Sequence, residues 1–229
     1  MCRGKKHCTE LDVDQSHWNK RAPLTIPDWF EGQIDIFIEA VDLFIEGDRA
    51  GCIEKILTIR DDEMTHWYIE HGQMSGMHRK RILNIKNGAL IHESLRDPIR
   101  TPAKYQNEVF RRDGFRCRYC GCKLISQNFF RVFIKKLNAS VFERGSTNLT
   151  THGIIHAAWP VADHVVPWII GGKTDLGNLV SSCATCNYGK AGYTIEQIGI
   201  ENPLEFSPIL DGWDGLESKV ESAKKVEFA

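Results

Sequence analysis

A chain of 229 residues that is 42% hydrophobic can bury a core, and its length predicts one medium domain plus a smaller one. No stretch approaches 18 uninterrupted apolar residues and no basic start runs into an apolar segment, so neither a membrane span nor secretion is expected, and a cytoplasmic setting is. The formal net charge of −1 argues at first against a polyanionic partner, yet charge is segregated: Arg79 to Lys136 carries 15 Lys or Arg against 4 Asp or Glu.

Residues 1–24 read as a polar arm without an apolar period. Phe30, Ile34, Phe37, Ile38, Val41 and Ile45 then recur at three- and four-residue steps, which predicts an amphipathic helix over about 28–46, ended by Gly47. A second helix is expected over about 48–58, with Ala50, Ile53, Ile56 and Leu57 inward, and a third over about 61–71, with Met64, Trp67 and Tyr68 on its apolar side. Together with a basic linker that runs through Gly72, Gly76 and Asp97-Pro98, they predict a small helical domain over 25–100. His66, His71, His78 and His92 lack any metal-binding spacing and read as structural or surface residues.

A helix over about 102–112 leads, through the turn Asp113-Gly114, into Cys117-x-x-Cys120, which pairs at long range with Cys183-x-x-Cys186. Two such knuckles can close a tetrahedral zinc site that stabilises the fold. Cys122 offers a nearby extra thiol, a free group or a neighbour of the site. Cys2, Cys8 and Cys52 show no paired pattern, as expected of reduced thiols. Between the knuckles Asp163 offers a hard oxygen suited to Mg²⁺ or Mn²⁺, and His164 an imidazole whose ordinary pKa lies near working pH. Adjacent strand residues point to opposite faces, so both can serve one site only where the strand ends or bends, as Pro167 implies.

The 62 residues between Cys120 and Cys183 exceed what two linked knuckles need, and the excess falls at about 125–158. Phe129, Phe130, Arg131, Lys135 and Arg144 interleave rings with cations there, which suits either base stacking or a helix packed on the ribbon. His152 and His156 are candidates to complete the metal site. Tyr193 to Gly199 predicts one more short helix, capped by Thr194, and residues 201–229 read as a tail that wraps the core or docks a partner.

The set Phe115-Arg-Cys-Arg-Tyr-Cys-Gly121, Ala162-Asp-His-Val-Val-Pro167, Gly171-Gly172, Asp175-Leu-Gly-Asn-Leu-Val180 and Cys183-Ala-Thr-Cys-Asn-Tyr-Gly-Lys190 resembles the core of the HNH endonucleases, in order, over about 101–200. The resemblance implies an α+β chain in which the helical domain precedes a zinc-stabilised ββα-metal nuclease domain. By the same resemblance His164 would be the general base, Asp163 and Asn187 the ligands of a catalytic Mg²⁺ or Mn²⁺, and Asn178 the loop amide that fixes the hairpin. Asn187 stands where histidine is commoner in the family. Cys117, Cys120, Cys183 and Cys186 would hold structural zinc.

Arg111, Arg112, Arg116, Arg118, Arg131 and Lys135 are the expected phosphate contacts of the basic block. The expected partner is nucleic acid, double-stranded DNA foremost, with no membrane; a homodimer or a protein partner would engage the helical domain. The expected function is a metal-dependent DNA endonuclease, in restriction or anti-phage defence. A nuclease subunit of a multi-protein defence complex and a non-catalytic zinc-ribbon module that binds nucleic acid are the alternatives.

Overall fold

Helix α1 (Trp29–Ile45) forms where the apolar period predicts it and ends at Gly47, whose φ of +87° suits a residue without a side chain. Helix α2 (Arg49–Leu57) is capped by Asp48, whose Oδ1 accepts from the Gly51 amide at 2.8 Å; it buries Cys52 and Ile56, whereas Ala50 and Leu57, expected inward, are exposed. Helix α3 (Asp61–Trp67) carries three acidic residues in its first turn, where the helix dipole favours them, and continues into a π turn at Tyr68–Gly72. The structure is a computed structural model and describes residues 5–6, 8–86 and 90–228; Cys2 and linker positions 87–89 lie outside these.

The linker reading misses helix α4 (Ser75–Ile82). Its Arg79 is fully buried, and its guanidinium donates to the carbonyls of Ile198, Gly199 and Asn19. A Cβ at Gly76 would lie 1.9 Å from the Gly189 carbonyl oxygen, so this glycine is what lets α4 approach the last helix of the sheet motif described below. The arm is likewise not all polar. Cys8, Leu11, Trp18 and Leu24 are buried in a small cluster against Trp67, Ile82 and Leu83.

The chain continues through α5 (Gln106–Arg112), α6 (Gln127–Leu137) and α7 (Gly153–Ala158) into strand β1 (Pro160–His164). Strand β2 (Leu179–Cys183) pairs antiparallel with it, Pro160 opposite Cys183 and His164 opposite Leu179, and helix α8 (Ala184–Lys190) follows directly. Short helices α9 (Ile195–Ile198) and α10 (Val220–Lys225) complete an α+β chain. No helix among the described residues is long and apolar enough to cross a membrane.

Two main cores result. One joins α1 and α2 to α6, α7 and α10, and the other joins α5, the first knuckle, the sheet and α8. The 125–158 segment thus builds the helical core. Phe129, Phe130 and Phe133 are fully buried, with Phe133 edge-on to Phe37 at 5.2 Å, so Phe129 and Phe130 do not offer stacking platforms to a ligand. The tail contributes Leu216, Val220 and Ala223 to the same core.

The second core is pinned by Asp113, fully buried, which accepts from Arg112 Nε at 2.9 Å, Arg118 Nη1 at 3.0 Å and the Ser181 amide at 2.7 Å. Removing one partner of a buried ionic cluster strands the others in low dielectric. Asp113→Ala is therefore expected to lower stability by about 3–5 kcal/mol, read by chemical denaturation. A decrease under about 1 kcal/mol would mean the two arginines find other partners.

Candidate active site

Strand β1 ends at His164, and this end lets neighbouring side chains share one site: Asp163 and His164 both line a cleft of about 520 Å³ with Arg100, Trp168 and Lys190. The loop that follows is held by Asn178. Its Oδ1 accepts from the Val166 amide at 2.8 Å, and its Nδ2 donates to the carbonyls of Val166 and Lys173 at 3.0 and 2.9 Å. Gly172 is required at this clasp, because a Cβ there would fall 1.7 Å from the Val166 carbonyl oxygen.

His164 Nε2 lies 2.9 Å from Thr174 Oγ1, and that hydroxyl donates to the Ile99 carbonyl. The hydroxyl proton being committed, Thr174 accepts from Nε2–H, which leaves Nδ1 as the lone-pair nitrogen. Burial lowers the His164 pKa from its ordinary value, and Lys190 and Arg100 act in the same direction against the opposing pull of Asp163 and Asp97. The imidazole is consequently neutral at pH 7. Asp97 braces the arrangement by accepting from the Thr174 amide at 3.0 Å, and its backbone bonds from Thr174 and Ile99 lower its own pKa.

Asp163 is buried and accepts from the Tyr119 hydroxyl at 2.6 Å, while the buried Lys190 ammonium stands 3.3 Å from the same oxygen. Burial raises the Tyr119 pKa well above its usual range, so the phenol stays protonated and donates. Tyr119 lies between Cys117 and Cys120, which ties the first knuckle to the cleft carboxylate.

Residues 160–191, the hairpin and α8, match the family model of the HNH endonucleases. The chain carries an HNH endonuclease domain. No curated protein and no solved structure matches the chain.

The family is metal-dependent and acts on nucleic acid, and this chain has a candidate metal site in its thiols. The Sγ atoms of Cys117, Cys120, Cys122 and Cys183 lie within 4.8 Å of one another, and Cys120 and Cys183 are 3.8 Å apart. A tetrahedral site with Zn–S bonds of about 2.3 Å has edges of about 3.8 Å, so the spacing fits. Cys122 is therefore inside the cluster, not beside it. The Cys186 amide donates to Cys183 Sγ at 3.4 Å, and the Cys186 thiol interacts with those of Cys117, Cys120 and Cys183, so a fifth thiol borders the cluster. The first knuckle is shaped by the Cys117 amide on the Cys122 carbonyl and the Gly121 amide on the Cys117 carbonyl, with Gly121 at φ +80°.

Of the other expected residues, Asn187 is half-buried on α8, three and four residues before Lys190 and Ala191, which both line the cleft. His152 and His156 sit elsewhere: His152 caps α7, and His156 stacks on Tyr68 at 4.3 Å.

The arginines near the knuckle are spent on partners within the chain, and the expectation that they face a substrate backbone is corrected for three of them. Arg112 bonds Asp113 and the carbonyls of Leu176 and Leu179. Arg116 pairs with Glu31 and Asp211, and Arg118 bonds Asp113 and the carbonyls of Pro203 and Phe206. Arg111 is exposed but pairs with Glu217, whereas Arg131 and Lys135 are displayed on α6. The cations actually at the cleft are Arg100 and Lys190, with Lys173 exposed beside Thr174. Arg100 and Lys173 escaped the sequence reading, although both belong to segments rich in breaks and charge.

Proposed function

We propose that the protein is a metal-dependent endonuclease that hydrolyses phosphodiester bonds of double-stranded DNA, with His164 as general base. The observation that carries this reading is the relay from His164 Nε2 through Thr174 to Ile99, which fixes the tautomer beside a cationic cleft. His164 Nδ1 takes a proton from water as its oxygen bonds to phosphorus; the bond to the leaving sugar oxygen breaks, and that oxygen is reprotonated from solvent. Arg100 and Lys190 favour a phosphate in the cleft. Tyr119 and Lys190 hold Asp163 oriented, and Asn178 keeps the loop after β1 in register with β2.

Asp163 is a hard oxygen donor at the cleft wall, and Asn187 lies one turn before Lys190 on α8, so this donor set fits Mg²⁺ or Mn²⁺. When bound, such an ion would neutralise developing charge on the phosphate and the leaving oxygen. Cys117, Cys120 and Cys183, with Cys122 or Cys186, would hold zinc.

The test is incubation of wild type and His164→Ala with supercoiled plasmid, single-stranded DNA and RNA in Mg²⁺, Mn²⁺ or EDTA. Cleavage of duplex DNA by wild type alone, abolished by EDTA, is expected. Equal cleavage by the variant would refute the base assignment, and preferential cutting of RNA the substrate.

Phosphate affinity is expected to come from the cleft and α6 instead of the knuckle. Alanine at Arg100, Lys173, Arg131 and Lys135 should flatten the dependence of log K on log salt by up to about 0.9 for each duplex phosphate no longer neutralised. Fluorescence anisotropy in EDTA measures the slope, and an unchanged slope would put these cations outside the interface.

A further inference from the structure

A second cavity lies beside the cleft, on the same elements, and no step of the hydrolysis uses it. It measures about 290 Å³ and is walled by four rings: Tyr68, His156, Trp159 and Tyr188. Ligand pockets run from roughly 300 Å³ upward, so this one suits a single ring system. Tyr68 and His156 are buried and stack on each other at 4.3 Å and 14°, and Trp159 is backed by Phe130 at 5.7 Å, so the exposed Tyr188, edge-on to Tyr68 at 6.4 Å and 75°, is the ring open to a ligand. The Arg144 guanidinium lies 4.1 Å from the Trp159 ring, and Ser146 and Asn148 add exposed polar groups to the rim.

Its position relates it to the chemistry. Val161 lines this pocket and Asp163 the cleft, two residues apart on β1 and hence on one face, separated by roughly 6.8 Å. On α8, Ala184 and Tyr188, one helical turn apart, line the pocket, and Lys190 in the last turn of the same helix lines the cleft. A spacing of roughly 6.8 Å is about two rises of a DNA strand. An exposed ring for stacking, polar groups for a base edge and a catalytic cleft two residues further along the same strand are together what an extruded base requires.

We propose that this pocket receives one unstacked nucleobase of the cut strand, from a nucleotide within about two positions of the scissile phosphate. The inference rests on the nuclease reading and deepens it: the substrate is recognised partly by a base drawn out of its stack. Tyr188, 54% exposed on α8, supplies the outer ring, so its replacement leaves the fold's cores untouched.

The experiment uses end-labelled DNA that carries one abasic nucleotide at successive positions, cut by wild type, Tyr188→Phe and Tyr188→Ala in Mg²⁺ or Mn²⁺. Wild type and Tyr188→Phe are expected to cut roughly five- to hundred-fold less at the bonds within two nucleotides of the abasic site than elsewhere on the same molecule, the range expected for removal of one stacked base. Tyr188→Ala should cut all bonds more slowly and show no local suppression, with unchanged thermal melting. A flat profile for wild type that cleaves, or a local suppression that survives in Tyr188→Ala, would overturn the pocket alone. Failure of wild type to cut any nucleic acid would instead sink the nuclease reading beneath it.

Discussion

His164→Ala is expected to reduce cleavage by about 10² to 10⁴ while leaving the fold and thiol-bound metal in place. The side chain is half-buried at the end of β1 and hydrogen-bonds to Thr174, so its truncation removes a base without opening either core. The pH profile carries a further signature. Because burial depresses the imidazole pKa, cleavage should rise with pH along an acid limb centred below 6.5 and then level off. The same displacement makes the folded chain less stable as pH falls below 6.5, since the unfolded imidazole takes up the proton more readily. Single-turnover rates across pH 5–8 measure the limb. A midpoint above 6.5, or a variant that cuts like wild type, would assign the base elsewhere.

How much of this was legible in the sequence depended on whether the decisive interaction was local. Asp163, His164, Asn178 and both knuckles lie in short spans whose spacing already limits the geometry. Helices α1 and α2 announced themselves by period, because each buries a single apolar stripe. Tyr119 and Lys190 belong to the same short motifs, yet their bonds to Asp163 cross 44 and 27 residues and exist only once the knuckle and α8 converge on β1.

Basic residues were the harder case. Arg79 lies in a basic run that reads as solvated, but its cost of burial is offset by three carbonyls from distant segments. Burial still lowers its pKa to about 10. Arg112, Arg116 and Arg118 read as a phosphate comb because Asp113, Glu31 and Asp211 that neutralise them are either a few residues away or far along the chain. The 125–158 segment left two readings open because α6 alternates rings with cations. In three dimensions, helical spacing sends Phe129, Phe133 and Leu137 inward and Arg131 and Lys135 outward.

One zinc per chain is the expected metal content, and its removal should unfold the nuclease half. Zinc bound by thiolates contributes on the order of 10 kcal/mol in small zinc-dependent peptides, about the whole stability of an ordinary domain. The thiols here sit between the hairpin and the first knuckle, with Cys117, Cys183 and Cys186 buried in the second core. Cys117→Ser and Cys183→Ser, which break both proposed quartets, are therefore expected to yield insoluble or partly unfolded protein. Cys122→Ser and Cys186→Ser separate those two quartets, since only the variant that lacks a true ligand should lose zinc. The knuckle also reaches the cleft through Tyr119, whose hydroxyl holds Asp163, so stripping zinc should disable cleavage even with Mg²⁺ in excess. Added zinc should restore it where added Mg²⁺ does not. Elemental analysis of active protein decides the matter: active, folded protein without zinc would remove the metal from the architecture and leave the five thiols without a common ligand.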